Sequence, residues 1–128
     1  MRYFIVTTYL LAAAINLAPA IGVFSNAVLT RLYSVEISSP EISLLLRHRA
    51  VLFAIVGSLL LAAAFIESLR TQAGIAGLVS MCAFILLYLL SGADDEKLLK
   101  VALVDAVVVL LFVVGFVQHL RAANSPRK

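Results

Sequence analysis

Residues 101–120 of the chain read VALVDAVVVLLFVVGFVQHL, and Asp105 is the only acidic residue among them. A helix needs about 20 mostly apolar residues to cross a hydrocarbon core about 30 Å thick, so this stretch is long enough to span a membrane. An ionised carboxylate inside such a span is costly, and residues of this kind usually pair with a neighbour or serve a function. Asp105 is therefore the first candidate functional residue of the chain.

Three similar apolar runs precede this one, and the predicted spans cover about residues 3–24, 44–67, 73–91 and 99–120. The composition agrees, since 63% of the residues are hydrophobic and only 13% are charged, whereas about 25% are charged in a typical soluble domain. The links between the spans are too short to form a second domain. We therefore predict an all-α membrane protein, in which residues 1–128 form one domain of four transmembrane helices in an up-down bundle.

Composition and spacing also exclude several classes of function. The single cysteine, Cys82, cannot form an internal disulfide or a Cys-x-x-Cys redox pair. His48 and His119 are expected near opposite membrane faces, so they cannot bind one haem or one metal ion together. No cofactor and no metal are predicted. The basic residues lie at helix ends, which indicates membrane lipids as partners and argues against nucleic acid. A homo-oligomer is also compatible with the sequence.

The charges at the helix ends bear on membrane orientation. We call side A the face that holds the N-terminus, the link near 68–72 and the C-terminal tail, and side B the face that holds the other two loops. The ten Lys and Arg residues divide equally between the two sides, so the positive-inside rule gives no preference. Most acidic residues lie on side B. We expect a multi-pass protein of the bacterial cytoplasmic (inner) membrane. The weak charge asymmetry favours the orientation with both termini in the cytoplasm.

Local signals predict where several helices begin and end. Ser39 is expected to cap a helix that extends over Pro40–Arg70. Gly92 is expected to end the third span, and Asp94 to cap the helix that follows. Ser25 is expected to cap a short interfacial helix in the first loop. The apolar face of that short helix is formed by Val28, Leu29, Leu32 and Tyr33.

The triplet Arg47, His48 and Arg49 lies about one turn inside the second span, on the same side of the membrane as Asp105. Small residues recur at positions 50, 54, 58 and 62 of this helix, and we expect this stripe to face the bundle. Arg47 is centred on the stripe, whereas Arg49 points about 200° away from it. An ion pair of Asp105 with Arg47, or with Arg49, is therefore expected.

Asn16 of the first span and Tyr88 of the third come from the remaining two helices in the side B half, and they complete the predicted polar cluster. The candidate ligand-binding residues are Asn16, Arg47, His48, Arg49, Tyr88 and Asp105. Two simpler interpretations stay open. Arginines near the end of a span commonly extend their charge to lipid phosphates, and Asp105 is equally compatible with a purely structural pairing.

The stretches NLAP at 16–19, LYSVEISSPEISLLLRHRAVLF at 32–53 and KVALVD at 100–105 resemble a family of small four-span bacterial inner-membrane proteins of unknown activity. The resemblance extends over nearly the whole chain and implies the same four-span architecture. Members of that family are often labelled phosphopantetheine adenylyltransferase, an activity whose soluble α/β enzymes carry a T-x-G-H phosphate motif. In this chain Arg47 precedes His48 and Gln118 precedes His119, so no adenylyltransferase motif is present.

Three hypotheses for the function follow from these residues. The first is a non-catalytic membrane protein that binds lipid or a protein partner through the first loop and the basic triplet. The second is a small transporter of an ion or solute that uses Asp105. The third is an enzyme that acts on a lipid-borne substrate, with Arg47 or Arg49 holding an anionic headgroup and Asp105 or His48 moving a proton. Because no catalytic motif occurs, we favour the first hypothesis.

Overall fold

The computed structural model describes residues 2–123, and all regular structure within that range is helical. Five α-helices follow one another: α1 (Arg2–Leu17), α2 (Asn26–Tyr33), α3 (Pro40–Phe65), α4 (Arg70–Ser91) and α5 (Glu96–Ala123). A 3₁₀ segment, Ala18–Phe24, continues from α1, and a 3₁₀ turn, Glu67–Leu69, leads into α4. Four stretches are long and apolar enough to cross a membrane: Arg2–Phe24, Pro40–Phe65, Glu67–Ser91 and Glu96–Ala123. The prediction of an all-α, multi-pass membrane protein is confirmed.

The four long helices form an up-down bundle in which each helix packs against two antiparallel neighbours. Helix α1 contacts α3 and α5, and α4 contacts the same two helices from the opposite corner. Side A of the bundle holds the start of α1, the α3–α4 turn and the end of α5, and side B holds α2 with its loops and the α4–α5 loop. The predicted domain also includes Met1 and residues 124–128, which lie outside the described residues.

The helix ends follow local chemistry. Ser39 caps α3 as predicted, because its hydroxyl accepts a hydrogen bond from the backbone N–H of Ile42 at 3.3 Å. Gly92 ends α4 as predicted, with a left-handed φ of 65° that glycine adopts without steric cost. The cap of α5 is Asp95, whose carboxylate accepts from two backbone N–H groups at 3.0 and 2.9 Å. The prediction of Asp94 as this cap is wrong by one residue.

The first loop contains the predicted interfacial helix as α2. Leu29 and Tyr33 are buried, and Arg31 on the opposite side is exposed. Ser25 occupies the N-cap position, but its side chain makes no capping hydrogen bond, so this part of the prediction is wrong. Burial of the apolar face against the bundle, and not a cap, therefore keeps α2 in place.

The tightest core lies in the side A half of the bundle. The Tyr9 and Phe112 rings meet edge to face with centroids 4.8 Å apart, and Phe116 stacks beyond Phe112 at 6.2 Å. Tyr9 and Phe112 are fully buried. A methyl group at Gly74 would overlap the Phe116 ring, so this glycine allows α4 and α5 to approach closely.

The inward face of α3 differs from the predicted one. The expected stripe of small residues passes through Ala54, which is half-buried, and Ser58, which is exposed. The buried side instead runs through Gly57, Leu60 and Ala64. A strict four-residue repeat drifts by about 40° per step around an α-helix, whereas alternating three- and four-residue spacing stays on one face. The prediction that the stripe faces the bundle therefore holds at Ala50, which is buried, but not along the stripe as a whole.

The turn between α3 and α4 forms around a buried arginine. The predicted continuation of the second helix to Arg70 is wrong, because Ile66 is extended and α3 ends at Phe65. Arg70, which is only 4% exposed, donates hydrogen bonds to the carbonyls of Ala63 and Ala64 at 3.1 and 3.2 Å. These carbonyls belong to the last turn of α3, where no intrahelical donor remains. The arginine thus caps the end of α3 and makes a short turn stable.

We expect Arg70→Ala to lower the free energy of unfolding by about 2–4 kcal/mol, because two buried carbonyls lose a charged donor. Stability is measured by titrating the purified protein from a mild detergent into SDS and following far-UV circular dichroism. The matched control is Glu67→Gln. Glu67 also bonds Arg70, at 3.2 Å, but it is 64% exposed, and such pairs contribute about 0–1 kcal/mol. Equal losses in both variants would contradict the capping role of Arg70.

Candidate ligand-binding site

The side B half of the bundle contains a cavity of about 250 Å³, which we call the central cavity. Residues of all five α-helices and of the 3₁₀ segment after α1 line it. Most of these residues are apolar, and the polar ones are Asn16, Tyr33, Arg49, Lys100 and Asp105. A mostly apolar pocket into which a few polar groups converge is the usual form of a small-molecule site.

Arg49 is surrounded by three aromatic rings in this cavity. The central guanidinium carbon lies 5.0 Å from the ring centroid of Tyr33, 5.2 Å from that of Phe53 and 5.1 Å from that of Phe84. Cation–π attraction holds the guanidinium in place without using its N–H donors. Within the described residues, Arg49 takes part in no side-chain hydrogen bond and no ion pair. Its five donors are therefore available to a ligand.

Asp105 lines the same cavity from α5 and is only 7% exposed. Among residues 2–123, no arginine lies within 4.0 Å of its carboxylate, so the predicted ion pair with Arg47 or Arg49 is wrong. The aromatic rings hold Arg49, and Arg47 lies elsewhere. The carboxylate also has no hydrogen-bond partner in the described part of the chain. An unpaired carboxylate within a span is costly, which makes Asp105 a second available group.

The Tyr33 hydroxyl is the third group without a partner. It is buried, lies at the border of the cavity, and forms no hydrogen bond in the described structure. Burial raises the pKa of the Tyr33 phenol above its ordinary value, Arg49 opposes this shift, and Asp105 adds to it. The phenol is therefore protonated at neutral pH, and it offers both a donor and an acceptor.

Arg47 and His48 lie outside the central cavity. Both are exposed, and the Arg47 guanidinium donates a hydrogen bond to the Asn26 side chain at 3.2 Å. Ser43 donates to the same Asn26 oxygen at 2.9 Å, so this cluster ties the start of α2 to α3. The prediction that Arg47 faces the bundle is wrong, because it followed from the wrong inward face of α3. The structure does not bring Arg47 or His48 together with Asp105.

Asn16 and Tyr88 lie in two neighbouring spaces. Asn16 is buried beside the central cavity, where its oxygen accepts from Ser80 at 3.1 Å and its nitrogen donates to a backbone carbonyl one turn earlier at 2.9 Å. Tyr88 lines a second space of about 550 Å³, which we call the α3–α4 cleft. The cleft is mostly apolar, and both Tyr33 and Arg49 line it as well as the cavity. Phe53 and Phe84 also line both spaces, so the cavity and the cleft adjoin around the Arg49 side chain.

The three aromatic rings around Arg49 were missed at the level of sequence. One signal was present, because Arg49 and Phe53 are four residues apart and so share a helix face. A second was the place of Tyr33 on the predicted apolar face of α2. Phe84 gave no signal, since its contact with Arg49 depends on how α4 is rotated in the bundle.

No family model, no curated protein and no solved structure matches the chain. The family resemblance suggested by the sequence therefore stays a prediction. Function has to be inferred from the site itself.

The groups that line the site can recognise an anion. A fixed guanidinium binds carboxylate or phosphate oxygens through two parallel N–H donors, and aromatic walls exclude water and strengthen that contact. Among residues 2–123, no three His, Cys, Asp or Glu side chains come together as metal ligands do. His48, one of two residues considered for proton transfer, does not line the cavity. The arrangement is suited to holding a charged headgroup in an apolar pocket.

We expect Tyr33→Phe to raise the free energy of unfolding of the lipid-free protein by about 1 kcal/mol, because it removes a buried hydroxyl without a partner. The matched control is Tyr9→Phe. The Tyr9 hydroxyl donates to the Arg70 carbonyl at 2.7 Å, so its removal is expected to lower the same free energy by about 1 kcal/mol. Both are measured by the SDS titration. Similar decreases of the free energy of unfolding in the two variants would show that the Tyr33 hydroxyl is hydrogen-bonded in solution.

Proposed function

We propose that this protein is a non-catalytic lipid-binding protein of the bacterial inner membrane, and that the anionic part of a lipid headgroup contacts Arg49 in the central cavity. One observation carries the proposal. Arg49 is fixed by three aromatic rings within a mostly apolar cavity, and its hydrogen-bond donors are unused among the described residues. A group positioned in advance loses little conformational entropy on binding.

The surroundings of Arg49 favour a lipid over a soluble anion. The α3–α4 cleft adjoins the cavity at Arg49, and Leu52 and Leu87 line the cleft while being exposed on the outside of the bundle. In a bilayer that outside is occupied by acyl chains. A ligand with a charged head in the cavity and an apolar chain in the cleft matches both spaces, whereas a soluble anion matches only one.

The transporter and enzyme hypotheses receive less support. The side A half is filled by the packed rings of Tyr9, Phe112 and Phe116, and this arrangement is more typical of a pocket open on one side than of a continuous channel. For an enzyme, Asp105 is the one proton-carrying candidate of the sequence that lines the cavity, since His48 lies outside it. A single carboxylate that no second acid–base side chain contacts among the described residues is weak support for catalysis.

We expect Arg49→Gln to weaken binding of a phospholipid by roughly tenfold, because charge-assisted hydrogen bonds contribute about 1.5–3 kcal/mol. Apparent dissociation constants are measured by native mass spectrometry on delipidated protein with phosphatidylglycerol, and with diacylglycerol as a ligand that lacks the phosphate. The matched control is Arg47→Gln, two residues away on the same helix and outside the cavity. Arg47→Gln is expected to leave both constants unchanged.

Two results would contradict this proposal. One is an equal effect of Arg47→Gln and Arg49→Gln, which indicates general attraction of phospholipid to surface charge. The other is that Arg49→Gln weakens the binding of diacylglycerol as much as that of phosphatidylglycerol. Such a result indicates damage to the fold of the pocket instead of the loss of a headgroup contact.

We also propose that both termini are cytoplasmic, as the acidic excess on side B favours. Orientation is tested in a Cys82→Ala background with one new cysteine, in Ser34→Cys on side B or in Ser68→Cys on side A. Both serines are exposed. A membrane-impermeant maleimide is expected to label Ser34→Cys in intact spheroplasts and Ser68→Cys only after lysis. The opposite pattern, or labelling of both in intact cells, would contradict this orientation. Formation of a homo-oligomer stays a prediction.

A further inference from the structure

The central cavity is lined by one cationic and one anionic side chain that do not form an ion pair with each other. Inside it, Arg49 supplies one positive charge and Asp105 one negative charge, without an ion pair between them. At its border, Lys100 pairs with Glu96 at 2.6 Å, and both side chains are mostly exposed. The interior thus presents one unpaired cation and one unpaired anion to any bound molecule.

This balance restricts the net charge of the ligand. A headgroup with only an anionic group would neutralise Arg49 and leave the Asp105 carboxylate unpaired in a mostly apolar pocket. Leaving a buried charge without a partner costs several kcal/mol. A headgroup with only a cationic group would leave Arg49 unpaired in the same way. A headgroup that carries one charge of each sign leaves neither residue without a partner.

We infer that the ligand is a zwitterionic phospholipid with a primary ammonium group, of the phosphatidylethanolamine class; this inference rests on the proposed lipid-binding function. The phosphodiester contacts the Arg49 guanidinium and the Tyr33 hydroxyl, and the ammonium donates hydrogen bonds to the Asp105 carboxylate. A primary ammonium is favoured over a quaternary one because it supplies the N–H donors that a carboxylate accepts most strongly.

The central cavity and the α3–α4 cleft are placed so that they can also hold the glycerol and acyl chains of such a lipid. Arg49 and Tyr33 line both the central cavity and the α3–α4 cleft, so a phosphodiester bound to them lies at the junction of the two. The ammonium then extends into the cavity towards Asp105. The glycerol and at least one acyl chain extend into the cleft, where the lining beyond Arg49 is apolar except for a few hydroxyl groups.

The experiment compares three phospholipids with identical acyl chains by native mass spectrometry on the delipidated full-length protein. We expect phosphatidylethanolamine to bind about tenfold more tightly than phosphatidylglycerol, which corresponds to about 1.4 kcal/mol. Phosphatidylcholine, which is zwitterionic but has no N–H donor, is expected to bind more weakly than phosphatidylethanolamine. The variant Asp105→Asn is expected to remove the preference for phosphatidylethanolamine while phosphatidylglycerol still binds, and this retained binding shows that the variant is folded.

The outcomes separate this inference from the proposed function. Equal or tighter binding of phosphatidylglycerol in the wild-type protein, or an unchanged preference in Asp105→Asn, would overturn the zwitterionic ligand. If lipid binding is still weakened by Arg49→Gln in that case, the proposed lipid-binding function stands. Equal binding of phosphatidylcholine would overturn the contact between the ammonium and Asp105. Free glycerophosphoethanolamine is added as a competitor. If it displaces the lipid at equal concentration, the acyl chains make no contribution, and the ligand is a soluble zwitterion instead of a lipid.

Discussion

Hydrocarbon supplies no hydrogen-bonding partners, so each polar group between the membrane faces must find a partner in the protein or in a bound molecule. The α3–α4 turn shows how the chain meets this constraint. An α-helix ends with carbonyls that no intrahelical donor reaches, and Arg70 donates to two of them from within the turn. Tyr9 of α1 then donates to the Arg70 carbonyl. One arginine thus allows the chain to reverse direction with a short link and ties that reversal to the first helix.

The side B half also contains an arginine beside a tyrosine, but there the side-chain polar groups are not hydrogen-bonded. Arg49 and Tyr33 are close to each other, as Arg70 and Tyr9 are, but their polar atoms have no partners within the described residues. Satisfied polar groups stabilise a fold, whereas unsatisfied ones around a single cavity reduce its stability. Sequences retain such local costs mainly at functional sites. The contrast between these two arginine–tyrosine pairs is the physical reason for placing the proposed binding site in the side B half.

The features that sequence predicted correctly are those that depend on local chemistry. Span positions depend on apolar length, and the start at Ser39 and the end at Gly92 depend on hydrogen bonds and dihedral angles within a few residues. Two local predictions, the caps at Ser25 and Asp94, are wrong. The errors that misplaced the site concern how a helix is rotated about its axis and which residues it meets. Arg47 was expected to face the bundle because the four-residue stripe was taken as the inward face, but its drift of about 40° per step carries it off that face. Nothing local indicates that Arg70, seven residues beyond Ala63, returns to cap α3.

The cavity itself follows from the backbone of the first span. Pro19 has no N–H to continue the α-helix, and the chain is 3₁₀ over Ala18–Phe24, next to the cavity that Pro19 helps to line. A methyl group at Gly22 in this segment would overlap Leu29, so the glycine lets α2 pack closely against it. Leu29 and Tyr33 are four residues apart on α2 and share its buried face. The approach that buries Leu29 therefore also brings Tyr33 to Arg49, and the proposed binding site depends on a proline and a glycine that carry no charge.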